Sequence, residues 1–259
     1  MDYLVLVIVL LILLIVVILV ACQNNNIETM EPIFANTFPF QTYIINLERK
    51  PERYQSVKQQ LDKIGIKNYQ QWTATDGSQA KNEEFAGVAP ELIKQNRAAA
   101  GCSSSHIRLW QHIAQNKLGW TLILEDDIHF HPDFLSLFYK YWKQVPNDAK
   151  ILYLGHCYEN HNKKNKDNVY SNHALCNHAY MINYKSAQYL LDNLVPVKEI
   201  SDLAIYNHFA NRPGSYLFNG ENIVNDIRAH DYKEQNGGKC ECEGIVYQDR
   251  MQHNSTINI

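Results

Sequence analysis

Three consecutive carboxylates, Glu125, Asp126 and Asp127, are the residues of this sequence with the clearest chemical potential. They directly follow the apolar run at residues 122–124, which predicts a strand buried on both faces of a sheet. Because unpaired charges are costly to bury, we expect the carboxylates at the carboxyl end of that strand, where open α/β sheets bind ligands. Side-chain alternation predicts Glu125 and Asp127 on one side and Asp126 on the other. Two hard oxygen donors suit Mg²⁺ or Mn²⁺ and, through the ion, a diphosphate; the alternative is a solvated acidic turn.

Two arginines, Arg49 and Arg53, follow a predicted strand at residues 42–47. A guanidinium at the carboxyl end of a strand can bind a phosphate through two parallel hydrogen bonds. The alternative for both arginines is an ordinary surface ion pair with Glu48 or Glu52.

A further anion site is predicted at Ser105 and His106. The apolar spacing predicts a helix at residues 101–117 that is capped by one of its serines, and a helix N-terminus attracts anions. His106 fits equally well as a histidine with a purely structural role.

The elements that must position these residues alternate between strands and helices, which predicts a doubly wound α/β domain. A poorly periodic segment at residues 78–100 is predicted to be a long loop with one short helix. Strands are predicted at residues 42–47, 69–73, 122–124, 151–154 and 179–182, and helices at residues 51–64, 101–117, 134–143, 185–193 and 201–211.

The amino terminus is unusual, because residues 3–21 contain no charge, glycine or proline. About 20 apolar residues span a bilayer, and Asp2 is the only charge ahead of them, so we expect an uncleaved transmembrane signal anchor at residues 1–22. A polar stem at residues 23–40 and a globular domain at residues 41–259 follow. The domain is expected to be lumenal or extracytoplasmic, although few flanking charges encode the topology. The alternative is a bacterial lipoprotein signal with lipid on Cys22.

Composition narrows the classes of function. The chain has 259 residues, of which 46% are hydrophobic and 20% are charged, as in an ordinary globular protein with one sizeable domain. A net charge of −3 argues against nucleic acid as the main partner.

Four motifs follow one another along the chain. They are Asn46-Leu47-Glu48-Arg49 with Arg53, Asp76-Gly77, Gly101-Cys102-Ser103-Ser104-Ser105-His106, and Leu124-Glu125-Asp126-Asp127-Ile128. In this order they resemble glycosyltransferase family 25, which includes lipopolysaccharide-type sugar transferases and procollagen galactosyltransferases. The resemblance covers roughly residues 43–229, and it departs from the family at residues 98–100, where three alanines replace a Gly-Glu-Ile sequence.

The resemblance implies a GT-A-like fold, a Rossmann-type mixed sheet flanked by helices and here preceded by the transmembrane helix. It also implies inverting transfer of a sugar, galactose or glucose, from a UDP-sugar donor. The acceptor would be a hydroxyl of a glycan, lipid-linked glycan or glycoprotein, and the cofactor Mn²⁺ or Mg²⁺. Two alternatives from other classes remain: a catalytically silent member that binds glycans or proteins, and a zinc-binding module.

The same resemblance, together with the chemistry of each residue, assigns candidate roles. The general base that inversion requires is assigned to Asp202, with Asp226 second; the alternative for Asp202 is a capping acid at a helix start. The metal ligands are predicted to be Glu125, Asp127 and His230, and the donor-binding residues Asn46, Arg49, Arg53, Asp76, Ser105, His106 and Asp126.

Cysteine usage offers a separate possibility. Besides Cys22 the chain has five cysteines, so one would stay unpaired if disulfides formed. A zinc site is conceivable, although the spacing of its members fits no standard motif. Its predicted ligands are His173, Cys176, His178, Cys240 and Cys242.

Overall fold

A computed structural model describes residues 38–157, 167–219 and 243–248. The chain divides into two compact units, Met1–Pro39 and Phe40–Ile259, and every described helix and strand belongs to the second. The predicted anchor at residues 1–22, most of the stem, Asp226 and His230 lie outside the described residues. Within the described ranges, no helix combines the length and the hydrophobicity needed to cross a membrane.

A mixed sheet of eight strands forms the centre of the second unit, with strand order β2-β1-β3-β7-β5-β8-β6 and β9 paired to β5. A separate two-stranded ribbon pairs β10 with β4. The strands are β1 (Gln41–Asn46), β2 (Tyr69–Thr73), β3 (Thr121–Glu125), β4 (Ile128–Phe130), β5 (Ile151–Cys157), β6 (Val169–Ser171), β7 (Leu175–Ile182), β8 (Ser215–Phe218), β9 (Glu243–Gly244) and β10 (Val246–Gln248).

Helices cover the sheet, and their apolar faces pack on its buried residues. The largest buried aromatic of α3 is Trp110, which belongs to the same core cluster as Tyr153 and Tyr180 of the sheet. The helices are α1 (Pro51–Lys63), α2 (Pro90–Gln95), α3 (Arg97–Gln115), α4 (Phe134–Trp142), α5 (Tyr184–Leu194) and α6 (Ser201–Phe209).

The prediction of a mixed α/β sheet flanked by helices is confirmed. β7 runs antiparallel to both of its neighbours, β3 and β5. A strand's apolar pattern reports its burial and not its direction, which explains why the sequence did not reveal this.

The helix predicted at residues 101–117 begins earlier, at Arg97. The Asn96 side chain caps it by accepting a hydrogen bond of 3.0 Å from the Ala99 amide. Ser103, Ser104 and Ser105 are therefore not caps but buried residues inside α3. The alanines at residues 98–100 give no clear apolar periodicity, so the sequence did not reveal the first turn of the helix.

The three strands β1, β2 and β3 are parallel, so their carboxyl ends meet at one edge of the sheet. Asn46 pairs in register with Thr73 of β2, and Ile45 pairs with Glu125 of β3. This register brings the polar residues that follow each strand to the same place.

One helix approaches that edge very closely, because glycines face each other across the contact. A Cβ atom at Gly101 of α3 would lie 2.6 Å from the Thr75 carbonyl oxygen and 2.8 Å from the Gly77 amide nitrogen. A Cβ at Gly77 would collide with the Arg97 carbonyl. The motifs that contain Gly77 and Gly101 thus permit close packing of the Asp76 loop on α3.

We expect Gly101→Ala to lower the free energy of unfolding by about 1–3 kcal/mol, because the new methyl group overlaps backbone that cannot move aside. Helix propensity alone predicts the opposite, a gain of about 1 kcal/mol. Urea denaturation measures the difference. Gly119→Ala is the matched control, since its Cβ would meet nothing within 4 Å. A Gly101→Ala variant as stable as Gly119→Ala would contradict the close approach.

Candidate active site

A cleft of about 190 Å³ opens at the edge where β1, β2 and β3 end. Most residues predicted to carry the chemistry line it together, although they come from distant parts of the chain. The lining consists of Ile45, Asn46, Leu47, Arg49, Arg53, Ala74, Thr75, Asp76, Gly77, Ser78, Ala98, Cys102, Ser105, His106, Glu125, Asp126, Asp127 and Gln248.

Asp126 is buried and held from two sides. Its Oδ2 accepts a hydrogen bond of 2.7 Å from Asn46 Nδ2, and its Oδ1 accepts one of 3.1 Å from Arg53 NH1. Burial raises the pKa of Asp126, while Arg53 and Asn46 counteract that rise. Asp126 therefore joins β3 to β1 and α1.

Arg53 is itself only 6% exposed, so it is not the surface ion pair with Glu48 or Glu52 that was the alternative. The Asn46 amide is also fully engaged: it donates to Lys50 O and Asp126, and it accepts from Gln71. Both residues face the cleft, but their hydrogen bonds support Asp126.

Glu125 faces α3 through a chain of hydrogen bonds. Trp110 Nε1 donates to the Tyr180 hydroxyl (2.7 Å), and the hydroxyl lies 2.9 Å from His106 Nδ1. Because Trp110 can only donate, the Tyr180 proton is left for Nδ1, and the proton of His106 then lies on Nε2. Nε2 lies 3.1 Å from Glu125 Oε1, so His106 donates to Glu125 and orients it.

Ser105 and His106 do not form a helix N-terminal anion site, because α3 begins two turns earlier at Arg97. The Ser105 hydroxyl donates to Gly101 O (2.7 Å) and accepts from the Thr75 amide (2.8 Å). Ser105 thus fastens the Asp76 loop to α3. His106 is fully buried and matches the structural alternative by orienting Glu125.

Asp127 is the least compensated of the three carboxylates. Gln248 Nε2 donates to its Oδ2 at 3.2 Å, whereas its buried Oδ1 has no hydrogen-bond partner among the described residues. Burial, reinforced by Glu125 and Asp126, raises the pKa of Asp127 to about 7. A cation beside Oδ1 would relieve this electrostatic cost.

The prediction that strand alternation arranges the three carboxylates is wrong, because β3 ends at Glu125. Asp126 and Asp127 lie in a bend, and their hydrogen-bond partners on β1, α1 and β10 set their directions.

At the open side of the cleft, Arg49 Nε contacts Asp76 Oδ2 at 2.5 Å. The terminal nitrogens of Arg49 make no further hydrogen bond to the described part of the chain. Burial raises the pKa of Asp76, but hydrogen bonds from Arg49 and Ser78 outweigh it and hold the pKa below its usual value. Arg49 is nearly half exposed and can reorient toward a ligand.

Glu125 and Asp127 remain candidate metal ligands, and both offer hard oxygen donors. Around Glu125, the ligand atoms of Cys102 and His106 lie within 4.8 Å of one another and of the carboxylate. Burial and the surrounding carboxylates raise the pKa of the Cys102 thiol well above its ordinary value, which makes it a poor ligand for a hard cation.

Asp202 lies in the first turn of α6 and is not among the described residues that line the cleft. Its carboxylate accepts hydrogen bonds from the backbone amides of Cys176 (3.2 Å) and Leu203 (2.8 Å). Burial raises the pKa of Asp202, and Glu125 raises it further, so the group is electrostatically coupled to the cleft.

Sequence reasoning missed Gln248 and Cys102 as cleft residues. Gln248 lies at the cleft because β10 pairs with β4, which places Gln248 in register with Ile128. Its three-residue strand follows a long stretch of weak pattern, so no local signal pointed to it. Cys102 belonged to a recognised motif, and only the position of α3 turns it toward the cleft.

Comparison with known proteins supplies an independent line of evidence. The model of glycosyltransferase family 25, described as an LPS biosynthesis protein, matches residues 40–205. A glycosyltransferase 25 family member of Drosophila melanogaster is 28% identical over 204 residues, covering 70% of this chain and 33% of the relative. Human procollagen galactosyltransferase 2 is 23% identical over 128 residues, covering 44% of this chain and 20% of the relative.

The chain thus spans about a third of the Drosophila relative and a fifth of the human one. Among solved structures, mouse xyloside xylosyltransferase 1 in its apo form aligns with a TM-score of 0.42 at 11% identity, covering 84% of this chain and 85% of that one. Because the family model matches well over half of the sequence, the chain belongs to glycosyltransferase family 25.

Proposed function

We propose that this protein transfers a hexose, galactose or glucose, from a UDP-sugar to a hydroxyl group of a glycan, lipid-linked glycan or glycoprotein. The transfer inverts the anomeric centre and depends on Mn²⁺ or Mg²⁺. Membership of glycosyltransferase family 25 and the similarity to human procollagen galactosyltransferase 2 support the reaction class.

The observation that carries the proposal is the uncompensated carboxylate of Asp127. A buried, unpartnered oxygen beside two further carboxylates disfavours an empty site and favours a divalent cation. Arg49 stands on the same cleft with nitrogens available for an anion. A cation site and a guanidinium on one small cleft suit a nucleotide diphosphate.

Each residue has a defined task in this proposal. Glu125 and Asp127 would hold the cation, which would neutralise the charge of the diphosphate as the leaving group departs. His106 orients Glu125, and Arg53 with Asn46 fixes Asp126. The cleft is smaller than the 300–1,000 Å³ typical of ligand pockets, so the described walls hold the diphosphate end of the donor and not all of it.

Asp202 remains the proposed general base that deprotonates the acceptor hydroxyl during attack on the anomeric carbon. Its raised pKa suits a base that works near neutral pH. The alternative is an anchoring role, since both of its oxygens accept backbone hydrogen bonds.

Release of UDP from UDP-sugars in the absence of acceptor tests the proposed function. We expect slow hydrolysis of at least one UDP-hexose with Mn²⁺ or Mg²⁺, and its loss on chelation, because a transferase with a bound donor also uses water as acceptor. A folded protein that binds glycans but releases no UDP from any UDP-sugar would identify it as a binding module instead.

Arg49→Ala should weaken UDP binding about tenfold or more, as expected when a charge-assisted contact of about 1.5–3 kcal/mol is lost. Calorimetric titration with UDP and Mn²⁺ measures the dissociation constant. Arg212→Ala is the matched control, since Arg212 donates to His208 O far along the chain and does not line the cleft. If the two variants bind UDP with equal affinity, Arg49 does not contact the donor and only forms a surface ion pair with Asp76.

Substitutions at Asp127 and Asp202 separate the metal site from the base. Asp127→Asn should abolish metal-dependent UDP binding together with turnover. Asp202→Asn should preserve UDP binding while turnover falls about 10²–10⁴-fold. If Asp202→Asn turns over like the wild type, Asp202 serves only to anchor the backbone.

The raised pKa of Asp127 also predicts that the free energy of unfolding of the metal-free protein depends on pH. This pKa rises on folding from 3.8 to about 7, so ionisation of Asp127 destabilises the folded protein increasingly from about pH 4 to pH 7 and fully above that. Asp127→Asn should therefore raise the free energy of unfolding of the metal-free protein by about 1–4 kcal/mol at pH 8 and hardly at all at pH 4. Urea denaturation with chelator at both pH values checks this. An equal effect at the two pH values would refute it.

A further inference from the structure

A second group of potential metal ligands lies outside the cleft. Cys157 of β5 and Cys176 and His178 of β7 bring their ligand atoms within 4.8 Å of one another. Cys157 and His178 are buried, and Cys176 is half-buried. None of the three lines the described cleft.

His178 presents the ligand atom that such a site requires. Its Nε2 lies 3.1 Å from the carbonyl oxygen of Val246, which can only accept, so the ring carries its proton on Nε2. Its Nδ1 is therefore a lone pair, fully buried and beside the Cys176 thiol. Metal-bound histidines typically donate their other nitrogen to a backbone carbonyl in this way.

The backbone is distorted where the three residues meet. The register of β5 against β7 shifts twice, between Tyr153 and Gly155 and between Gly155 and Cys157. Such bulges re-aim side chains and are frequent beside functional sites. Cys176 adopts φ 69°, a left-handed conformation that costs a non-glycine residue energy, and the Asp202 carboxylate holds its amide.

Gly155 makes room for this arrangement. A Cβ atom there would collide with His178 Nε2 and with the Val246 carbonyl. The absence of a side chain at residue 155 lets the imidazole ring lie directly on β5, next to Cys157.

We propose that Cys157, Cys176 and His178 bind Zn²⁺ through two sulfur atoms and Nδ1. Thiolates and imidazole are the ligands zinc prefers, and hard cations such as Mg²⁺ avoid them. In a tetrahedral site with Zn–S of about 2.3 Å, neighbouring ligand atoms are about 3.8 Å apart. Because the three atoms already lie within 4.8 Å of one another, they need to approach by no more than about 1 Å. Binding deprotonates the thiols, and the protons pass to solvent.

The site differs from the zinc cluster suggested by the sequence, because Cys157 takes the place of His173. Cys240 and Cys242, which were also predicted as ligands, lie outside the described residues. The His173 ring instead packs edge-on against Tyr206, with centroids 4.4 Å apart. Cys157 lies on a different strand from Cys176 and His178, so spacing along the chain could not reveal it.

Zinc at this site would also stabilise the neighbouring cleft. Its ligand His178 holds Val246 of β10, and the same strand carries Gln248 to Asp127. A fixed imidazole ring therefore fixes the strand that positions a cleft residue. The inference itself is independent of the proposed transferase activity.

Metal analysis of the full-length protein, purified without added metal, tests the proposal. We expect about one zinc per chain by mass spectrometry, and thiolate-to-cobalt charge-transfer bands after exchange with Co²⁺. Cys157→Ser, Cys176→Ser and His178→Asn should each reduce zinc to below about 0.1 per chain. Cys102→Ser is the matched control and should retain the zinc, because Cys102 belongs to the cleft.

Circular dichroism shows whether each variant folds. If a variant does not fold, the cobalt spectrum of the wild-type protein still tests the proposal, because it requires no substitution. Absence of zinc and of thiolate bands from the folded wild type would overturn the proposal, as would a disulfide between Cys157 and Cys176 or loss of zinc from Cys102→Ser alone. UDP release is measured separately with Mn²⁺, so failure of either proposal is visible without the other.

Discussion

The buried ion pair between Arg53 and Asp126 is the interaction on which the arrangement of the sheet edge depends. Both residues are under 10% exposed, and Asn46 adds a hydrogen bond of 2.7 Å to the same carboxylate. Breaking one partner of a buried pair typically costs about 3–5 kcal/mol, because the other charge is left without compensation. Arg53 of α1 and Asn46 of β1 thus hold the end of β3 through Asp126. The charge of Arg53 also reduces the repulsion among the three adjacent carboxylates.

The three carboxylates owe their different properties to three different neighbours. Glu125 is oriented by His106 of α3, Asp126 is neutralised by Arg53 of α1, and Asp127 receives one hydrogen bond from Gln248 of β10. The first two are therefore supported by protein groups. Asp127 keeps a buried oxygen without a partner among the described residues, and its raised pKa expresses that imbalance. The imbalance is the property that a bound cation corrects.

The short C-terminal strands connect this cleft to the cysteine-histidine cluster. β9 pairs with β5 beside Gly155, and β10 pairs with β4 beside the acidic bend. His178 binds the backbone of β10 at Val246, two residues before Gln248. Asp202 touches the same region by holding the amide of Cys176. The cluster and the cleft are thus connected through the backbone of β10.

The sequence was sufficient to predict five of the ten described strands and most of the cleft, but it did not predict β4, β6, β8, β9 or β10. β2 was predicted with its observed bounds, and apolar periodicity located α1, α4 and α5 within a few residues. The cleft residues near Asn46, Asp76 and Glu125 were predictable because the polar residues that follow parallel strands meet at one edge. Errors arose where the signal was weak: α3 starts in an alanine-rich stretch, and β10 is only three residues long.

By itself, therefore, the sequence determined which residues are chemically capable, because strand patterns, glycines and charges are local properties. Only the tertiary structure decided what each of them does. Arg53 is buried in an ion pair with Asp126 and is not a surface residue. Ser105 is not part of an anion site but accepts a hydrogen bond from the Thr75 amide. Cys157 lies close to Cys176 and His178 of a neighbouring strand. Burial and partner choice depend on contacts between residues far apart in the chain, and no local pattern encodes those contacts.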